Sequence, residues 1–144
     1  MDDSTALAAL DDLARLVRRA SQELDRAIAT CLGESSAARW HVLTAVAGAE
    51  GLSMSQLVDA TLLNAATLTR LIDAMIADNL VLRKVDETDR RRVLVFPTRR
   101  GLLTRKVMDQ TLTASGLTEI ANTTSTKTLA ALVDRIASTE PAPL

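Results

Sequence analysis

The stretch DETDRRRVLVFPT, residues 86–98, sets three consecutive arginines in a polar turn between two short runs of β-branched and apolar residues. Arg90, Arg91 and Arg92 repel one another unless a polyanion is near. Asp89 stands beside them and can pair with one guanidinium, fixing its direction. A guanidinium aimed in this way from a loop suits the narrow, electronegative minor groove of A·T-rich DNA. The alternative is a solvated charged turn.

A second candidate set lies upstream, in NAATLTRLID, residues 64–73. Asn64 is placed to cap a helix, and the N-terminus of a helix favours a phosphate. Ala66 and Thr67 are small enough to admit close approach and can meet a thymine methyl. Thr69 can bond a phosphate or a base, and Arg70 can fork onto a guanine or hold a phosphate. Asp73 is unfavourable toward DNA, but three residues beyond Arg70 it can orient that guanidinium. The alternative here is an ordinary amphipathic helix with a small-residue outer face.

Other chemistries find little material. Cys31 is the single cysteine, so an internal disulfide and a multi-cysteine metal site are excluded, and buried packing is its expected role. His41 is the single histidine. Any histidine-based catalytic or metal constellation would have to be built around it, beside Trp40 in an apolar helical pattern. There is no paired carboxylate in an expected pocket, no glycine-rich phosphate loop and no nucleophile–base pair. The expectation is a protein that is not an enzyme and carries no cofactor or metal.

The elements that must position these residues are mostly helical. Leu10, Leu13, Leu16, Val17, Ala20, Leu24, Ala27 and Ile28 recur at spacings of three and four, predicting a helix over 4–32, capped by Ser4 or Thr5 and ended by Gly33. At ~1.5 Å per residue it spans ~40 Å, more than a domain of this size needs for its own core. Such a helix packs on something else, often a second copy. A second helix covers 36–49, with Trp40, Leu43, Val46 and Ala47 inward. Ser53-Met54-Ser55-Gln56 reads as a capping box opening a short helix over 54–60. Asn64 caps the next, 65–79, whose buried stripe is Leu68, Leu71, Ile72 and Met75. Two helices joined by so short a turn form a helix-turn-helix.

After Asn79 the period falls from 3.6 to 2. Residues 80–85 and 93–96 read as strands of a hairpin whose turn is Asp86–Arg92, ended by Pro97. Thr98 caps a helix over 99–115, Gly116 breaks it, and Ser125 caps a last helix over 126–138 before a frayed tail, residues 140–144. A helix-turn-helix followed at once by a hairpin is a winged helix, with the arginines at the tip of the wing. The fold class is therefore mainly α with a small β-hairpin: a winged helix-turn-helix plus N- and C-terminal helices.

Composition bears on the partner. The 144 residues carry a formal net charge of −1, but residues 83–106 hold nine basic and three acidic side chains. That segment is +6 and the rest of the chain −7, so a basic patch is set on an acidic body. Aromatics are 1% of the chain, which excludes stacked-aromatic platforms for single strands or RNA. The N-terminus is acidic, unlike a secretory signal, and no apolar run approaches the ~20 residues of a membrane span, so a cytoplasmic location is expected.

LTRLIDAMIADNLVLRKVDETDRRRVLVFPTRRG, residues 68–101, resembles the MarR family of bacterial transcription regulators. Members carry a recognition helix of the type TRLVDxLxxxGLV and then a wing with D-x-R-x-x-x-V-x-L-T. Asp89, Arg91, Val95 and Thr98 match the wing motif; Pro97 stands where Leu is usual, and Asn79 where the helix-ending Gly is usual. The match is dense over 53–104 and architectural elsewhere. The resemblance implies a homodimer built by interlocking N- and C-terminal helices (1–33 and 117–140) around a DNA-binding lobe (34–116) within one MarR-like domain, 1–144. It implies recognition helices in the major groove of a pseudo-palindrome, with wings on the adjacent minor grooves. By the same analogy Arg91 is the wing arginine and Asp89 its holder; Arg90 and Arg92 are then expected to meet phosphates or solvent. It further implies a possible small-molecule effector between the lobes, near Trp40 and His41, and DNA binding that represses transcription. A winged-helix protein-interaction module without DNA binding is the alternative, and the clustered wing arginines argue against it.

Overall fold

The computed structural model describes residues 2–121 and 124–139; the tail expected to fray, 140–144, lies outside the described residues. Helix α1 (Asp3–Leu32) is capped by Asp2, not by Ser4 or Thr5: the Asp2 carboxylate accepts the Ser4 N–H at 3.0 Å. A carboxylate there also meets the positive end of the helix dipole, which a hydroxyl cannot match. Gly33 ends α1 with φ 91°. Helix α2 (Glu34–Ala47) follows directly after Gly33, starting and stopping two residues earlier than the periodicity suggests. The box at Ser53 is formed as expected: Gln56 N–H donates to Ser53 Oγ and Ser53 N–H to Gln56 Oε1, opening α3 (Met54–Thr61). Asn64 Oδ1 accepts the N–H groups of Ala66 and Thr67 and opens α4 (Ala65–Ala77). Asn79 takes φ 58°, the left-handed turn for which Asn is the best substitute for Gly.

The wing is an antiparallel pair, β1 (Val81–Val85) and β2 (Val93–Pro97), in register from Val81 opposite Pro97 to Val85 opposite Val93. Leu52 adds a one-residue third strand beside β2, exchanging both backbone bonds with Val95 at 3.1 and 2.8 Å. Pro97 lies inside β2 rather than beyond it. Its missing N–H falls at the strand's last position, where the chain turns away.

Thr98 then caps α5 (Arg99–Ser115), accepting the Gly101 N–H at 2.9 Å. Gly116 ends α5 with φ 85°. A short α6 (Leu117–Ala121), which the sequence pattern does not announce, precedes α7 (Thr124–Ala137). Ser125, expected to cap this helix, thus lies inside the first turn of α7.

One aliphatic core joins these elements: Val42, Leu43 and Val46 of α2, Leu57 of α3, Leu68, Ile72 and Met75 of α4, with Leu80, Val81 and Val95 of the wing. Burial of each such side chain stabilises by about 1.5–3 kcal/mol. Val42 occupies the interior place expected of Trp40, which is only partly buried because its indole N–H reaches out to Asp109 Oδ1 at 2.7 Å. Leu71, expected in the buried stripe, is partly buried. Outside this core, Leu7, Leu10, Leu16 and Leu24 of α1, Leu103 and Val107 of α5 and Leu129, Val133 and Ile136 of α7 are exposed.

Two loops carry local strain or charge. Leu62, in the turn between α3 and α4, has φ 58° and is 88% exposed. It accepts a left-handed backbone that costs a side-chain-bearing residue ~1–2 kcal/mol and buries almost nothing in return. Leu62→Gly should therefore stabilise the fold by up to ~1 kcal/mol, after allowing for glycine's own entropy cost; a urea melt with an unchanged or lower midpoint would contradict this.

In the wing loop, Asp86 Oδ1 accepts both the N–H and the hydroxyl of Thr88, at 2.9 and 2.8 Å. These bonds, the backbone one first, hold the Asp86 carboxyl below its ordinary value of 3.8; partial burial opposes them and the Arg92 charge adds to them. A folded pKa below the unfolded one means the bonds stabilise the loop above 3.8 and are lost as pH falls through the depressed value. The Thr88 amide resonance should titrate with a midpoint below 3.8 and lose that step in Asp86→Asn; a midpoint at or above 3.8 would refute the assignment.

Candidate nucleic-acid interface

The wing loop holds each arginine differently. Asp89 Oδ1 accepts the backbone N–H of Arg91 at 3.1 Å and its Nε–H at 3.2 Å, while the Arg91 side chain remains 92% exposed. So solvated an ion pair contributes little stability, below about 1 kcal/mol. Its effect is directional: the root of the guanidinium is fixed and its remaining donors face outward. Arg90 is exposed and has no side-chain partner among the described residues. Arg92 is engaged on two sides, with Nη2 donating to Gln56 Oε1 at 3.3 Å and Nη1 lying 3.9 Å from Asp86 Oδ2. The loop is closed beneath them by Asp86 N–H to Arg92 O at 2.9 Å and Arg92 N–H to Asp89 O at 3.0 Å.

The outer face of α4 is open: Asn64, Ala66, Thr67, Thr69 and Arg70 are all exposed. Their chemistry is narrower than their residue types suggest. Asn64 Oδ1 is occupied by two cap bonds, leaving its amide N–H groups as outward donors. Those same bonds occupy two N–H groups of the first turn. The Thr69 hydroxyl donates to Ala65 O at 2.9 Å, so only its lone pairs face outward in this rotamer. Asp73 does not orient Arg70. It accepts Arg83 Nη2 of β1 at 2.6 Å, because the strand brings a guanidinium to α4 from outside the helix. Arg70 is left without a side-chain partner among the described residues, an exposed and unconstrained cation on the outer face of α4.

Trp40 and His41 lie together at the joint of α2 with α5, ring centroids 5.1 Å apart, both partly buried. Asp109 of α5 accepts the Trp40 indole N–H and lies 3.7 Å from Arg105 Nε. One residue earlier, Arg39 donates to Asp78 at the end of α4 at 2.7 Å. Consecutive residues of α2 therefore grip two different helices. Cys31, at the end of α1, is half-buried. Among the described residues no group of three or more metal-ligating side chains occurs, and no helix is long and apolar enough to cross a membrane.

Arg83, Asp86 and Gln56 belong to this surface although sequence reasoning does not single them out for it. Gln56 is legible only as a capping residue, since its second partner is 36 residues away. The signal for Arg83 is its place in a strand beside a helix that carries an outward acid, but the pairing needs the register.

Residues 36–92 match a model of the MarR family. No curated protein matches the chain. Among solved structures, BpsR of Bordetella bronchiseptica is 26% identical, with 88% of this chain and 94% of that one covered and a TM-score of 0.73; that structure concerns regulation of its DNA binding by 6-hydroxynicotinic acid. Wild-type MarR of E. coli in its apo form is 25% identical over 86% of this chain and 96% of that one, with a TM-score of 0.67. A cysteine-to-serine variant of E. coli MarR, complexed with operator DNA, shares the fold at 24% identity and a TM-score of 0.73, over 89% of this chain and 95% of that one. The wing motif, the order of elements and the helix-turn-helix of residues 36–92 all agree in making this part of the chain similar to the MarR family.

Proposed function

We propose that the protein is a cytoplasmic, homodimeric regulator that binds a pseudo-palindromic double-stranded operator and represses transcription from it. The observation that carries the reading is Arg91: almost fully solvated, yet tethered at two points by Asp89 at the tip of a wing beside an open recognition helix. A protein-interaction surface would have no use for a directed, solvated cation, whereas a minor groove would. Asn64, Ala66, Thr67, Thr69 and Arg70 face the major groove, and Arg90 a phosphate. The exposed leucines of α1 and the aliphatic face of α7 form the dimer seat, so residues 1–33 and 117–140 serve dimerisation and 34–116 the DNA.

A small organic acid is the proposed effector class. BpsR, whose DNA binding 6-hydroxynicotinic acid regulates, supports it, as does the placing of Trp40 and His41 where α2 grips both α5 and α4.

Dimerisation comes first. Sedimentation at micromolar concentration should give a dimer, and a monomer there would remove the seat assigned to α1 and α7. Selection of duplexes from a random pool should then recover a palindrome. On that duplex Arg91→Ala should weaken binding by roughly 1–3 kcal/mol and flatten preference at the outer A·T positions. Asp89→Ala should also weaken binding, although simple Coulomb attraction predicts a gain from removing an acid near DNA. Anisotropy titrations in which Asp89→Ala binds more tightly would reduce the wing to a basic patch, and recovery of no duplex at all would favour the interaction module.

A further inference from the structure

Nine basic residues between 83 and 106 invite the view that all serve DNA. Two of them reach from the wing to the helix-turn-helix. Arg83, on β1, donates to Asp73 of α4 at 2.6 Å. Arg92, in the tip loop immediately before β2, donates to Gln56 of α3 at 3.3 Å and faces Asp86 at 3.9 Å. Strand β1 and the tip loop of the wing are thus each joined by one arginine to a different helix of the helix-turn-helix. The acceptors are themselves held. Gln56 Oε1 also takes the Ser53 N–H at 2.9 Å, so its position is fixed by the capping box. Asp86 has a side chain only 14% exposed and is bound to Thr88. An arginine holds its acceptors with donors fixed in one plane, a directional constraint that the single rotatable ammonium of lysine lacks.

We propose that Arg83 and Arg92 are positioning residues, clipping the wing to α4 and α3 so that Arg91 stands at a set distance from the recognition helix. Resting on the DNA-binding reading above, this assigns the register between major-groove and minor-groove contacts to a pair of intramolecular bonds. A two-stranded ribbon alone is a flexible lever. Leu52 anchors its base through Val95. The two arginines brace its sides. Free to swing, the wing would carry Arg91 with it, and operators of slightly different groove spacing would be bound alike. Arg90, which lacks a side-chain partner among the described residues, is the phosphate contact.

Amide hydrogen exchange on the free, full-length protein tests the clips without reference to DNA. Arg92→Ala should speed exchange about tenfold in the loop 86–92 and at 53–57, and Arg83→Ala should do so in β1 and at 73–77. Neither should alter exchange at the core residues 42–46, whereas a merely destabilised fold would speed all of them. Arg90→Ala should leave every segment unchanged. On a duplex recovered by selection, Arg90→Ala should reduce the salt slope by about 0.9 for each phosphate that residue 90 ceases to neutralise. Arg92→Ala and Arg83→Ala should keep the wild-type slope while lowering affinity several-fold. Gln56→Glu, which keeps the capping box and strengthens the partner of Arg92, should bind no more weakly despite its added negative charge. Unchanged exchange at 53–57 in Arg92→Ala, together with a slope reduced as in Arg90→Ala, would overturn the proposal. Failure of the wild-type chain to recover any duplex would overturn the DNA reading instead, with the exchange data still deciding the clips.

Discussion

The carbonyl of Leu80 sits where recognition helix, wing and α5 meet. It accepts the Thr98 N–H at 3.1 Å and lies so near Gly101 that an added Cβ would stand 2.0 Å from its oxygen. The same two-residue corner is closed by Thr98 Oγ1 donating to Asn79 O at 2.6 Å and by Leu80 N–H reaching back to Met75 O at 2.8 Å. Thr98 therefore ties the end of α4 to the start of α5 while capping the latter, and Gly101 allows the helix to touch the strand backbone. Any side chain at 101 would push α5 away from the core and carry the wing root with it. From this contact follow the direction in which β1 leaves α4, the angle of the hairpin and the placing of the loop that bears Arg91.

Much of this is legible in the sequence because it depends on local rules. The capping box at Ser53, the Asn64 cap, the left-handed Asn79 and the Thr98 cap are each dictated by side chains within a few residues of the backbone groups they serve. The pairing of Asp89 with Arg91 is local for the same reason, two residues apart. Contact at a distance is not legible. Helical spacing assigns Asp73 to Arg70, but a strand ten residues on supplies Arg83 with better geometry. Periodicity places Trp40 inside, yet it is drawn outward by Asp109, 69 residues later. The break at Gly116 can be read from its residue type, but not the short helix beyond it, since five residues carry too little periodicity to register.

The charge pattern also changes meaning once the partners are known. Counting side chains gives a basic segment of +6. The structure divides its wing, with the recognition helix, into cations that are braced, directed or free: Arg83 and Arg92, Arg91, and Arg90 with Arg70. A directed cation loses less rotamer entropy on binding than a free one, and a free one adapts to whichever phosphate is near. On the proposed function, one short wing combines a fixed reading element with adaptable anchors, on a body whose remaining charge is negative and repels DNA elsewhere. Orientation on a duplex would then follow from that contrast as much as from attraction.

The joint of α2 and α5 has an optical consequence. Trp40 is the only tryptophan and there is no tyrosine, so ultraviolet emission from this protein comes from one indole. That indole donates to the Asp109 carboxylate and lies against the His41 ring, a nearby quencher. Its emission is therefore a built-in gauge of the seam between α2 and α5. Any rearrangement that slides one helix along the other changes the carboxylate bond, the imidazole contact and the wetness of the ring together, and shows as a shift in colour and brightness with no label attached.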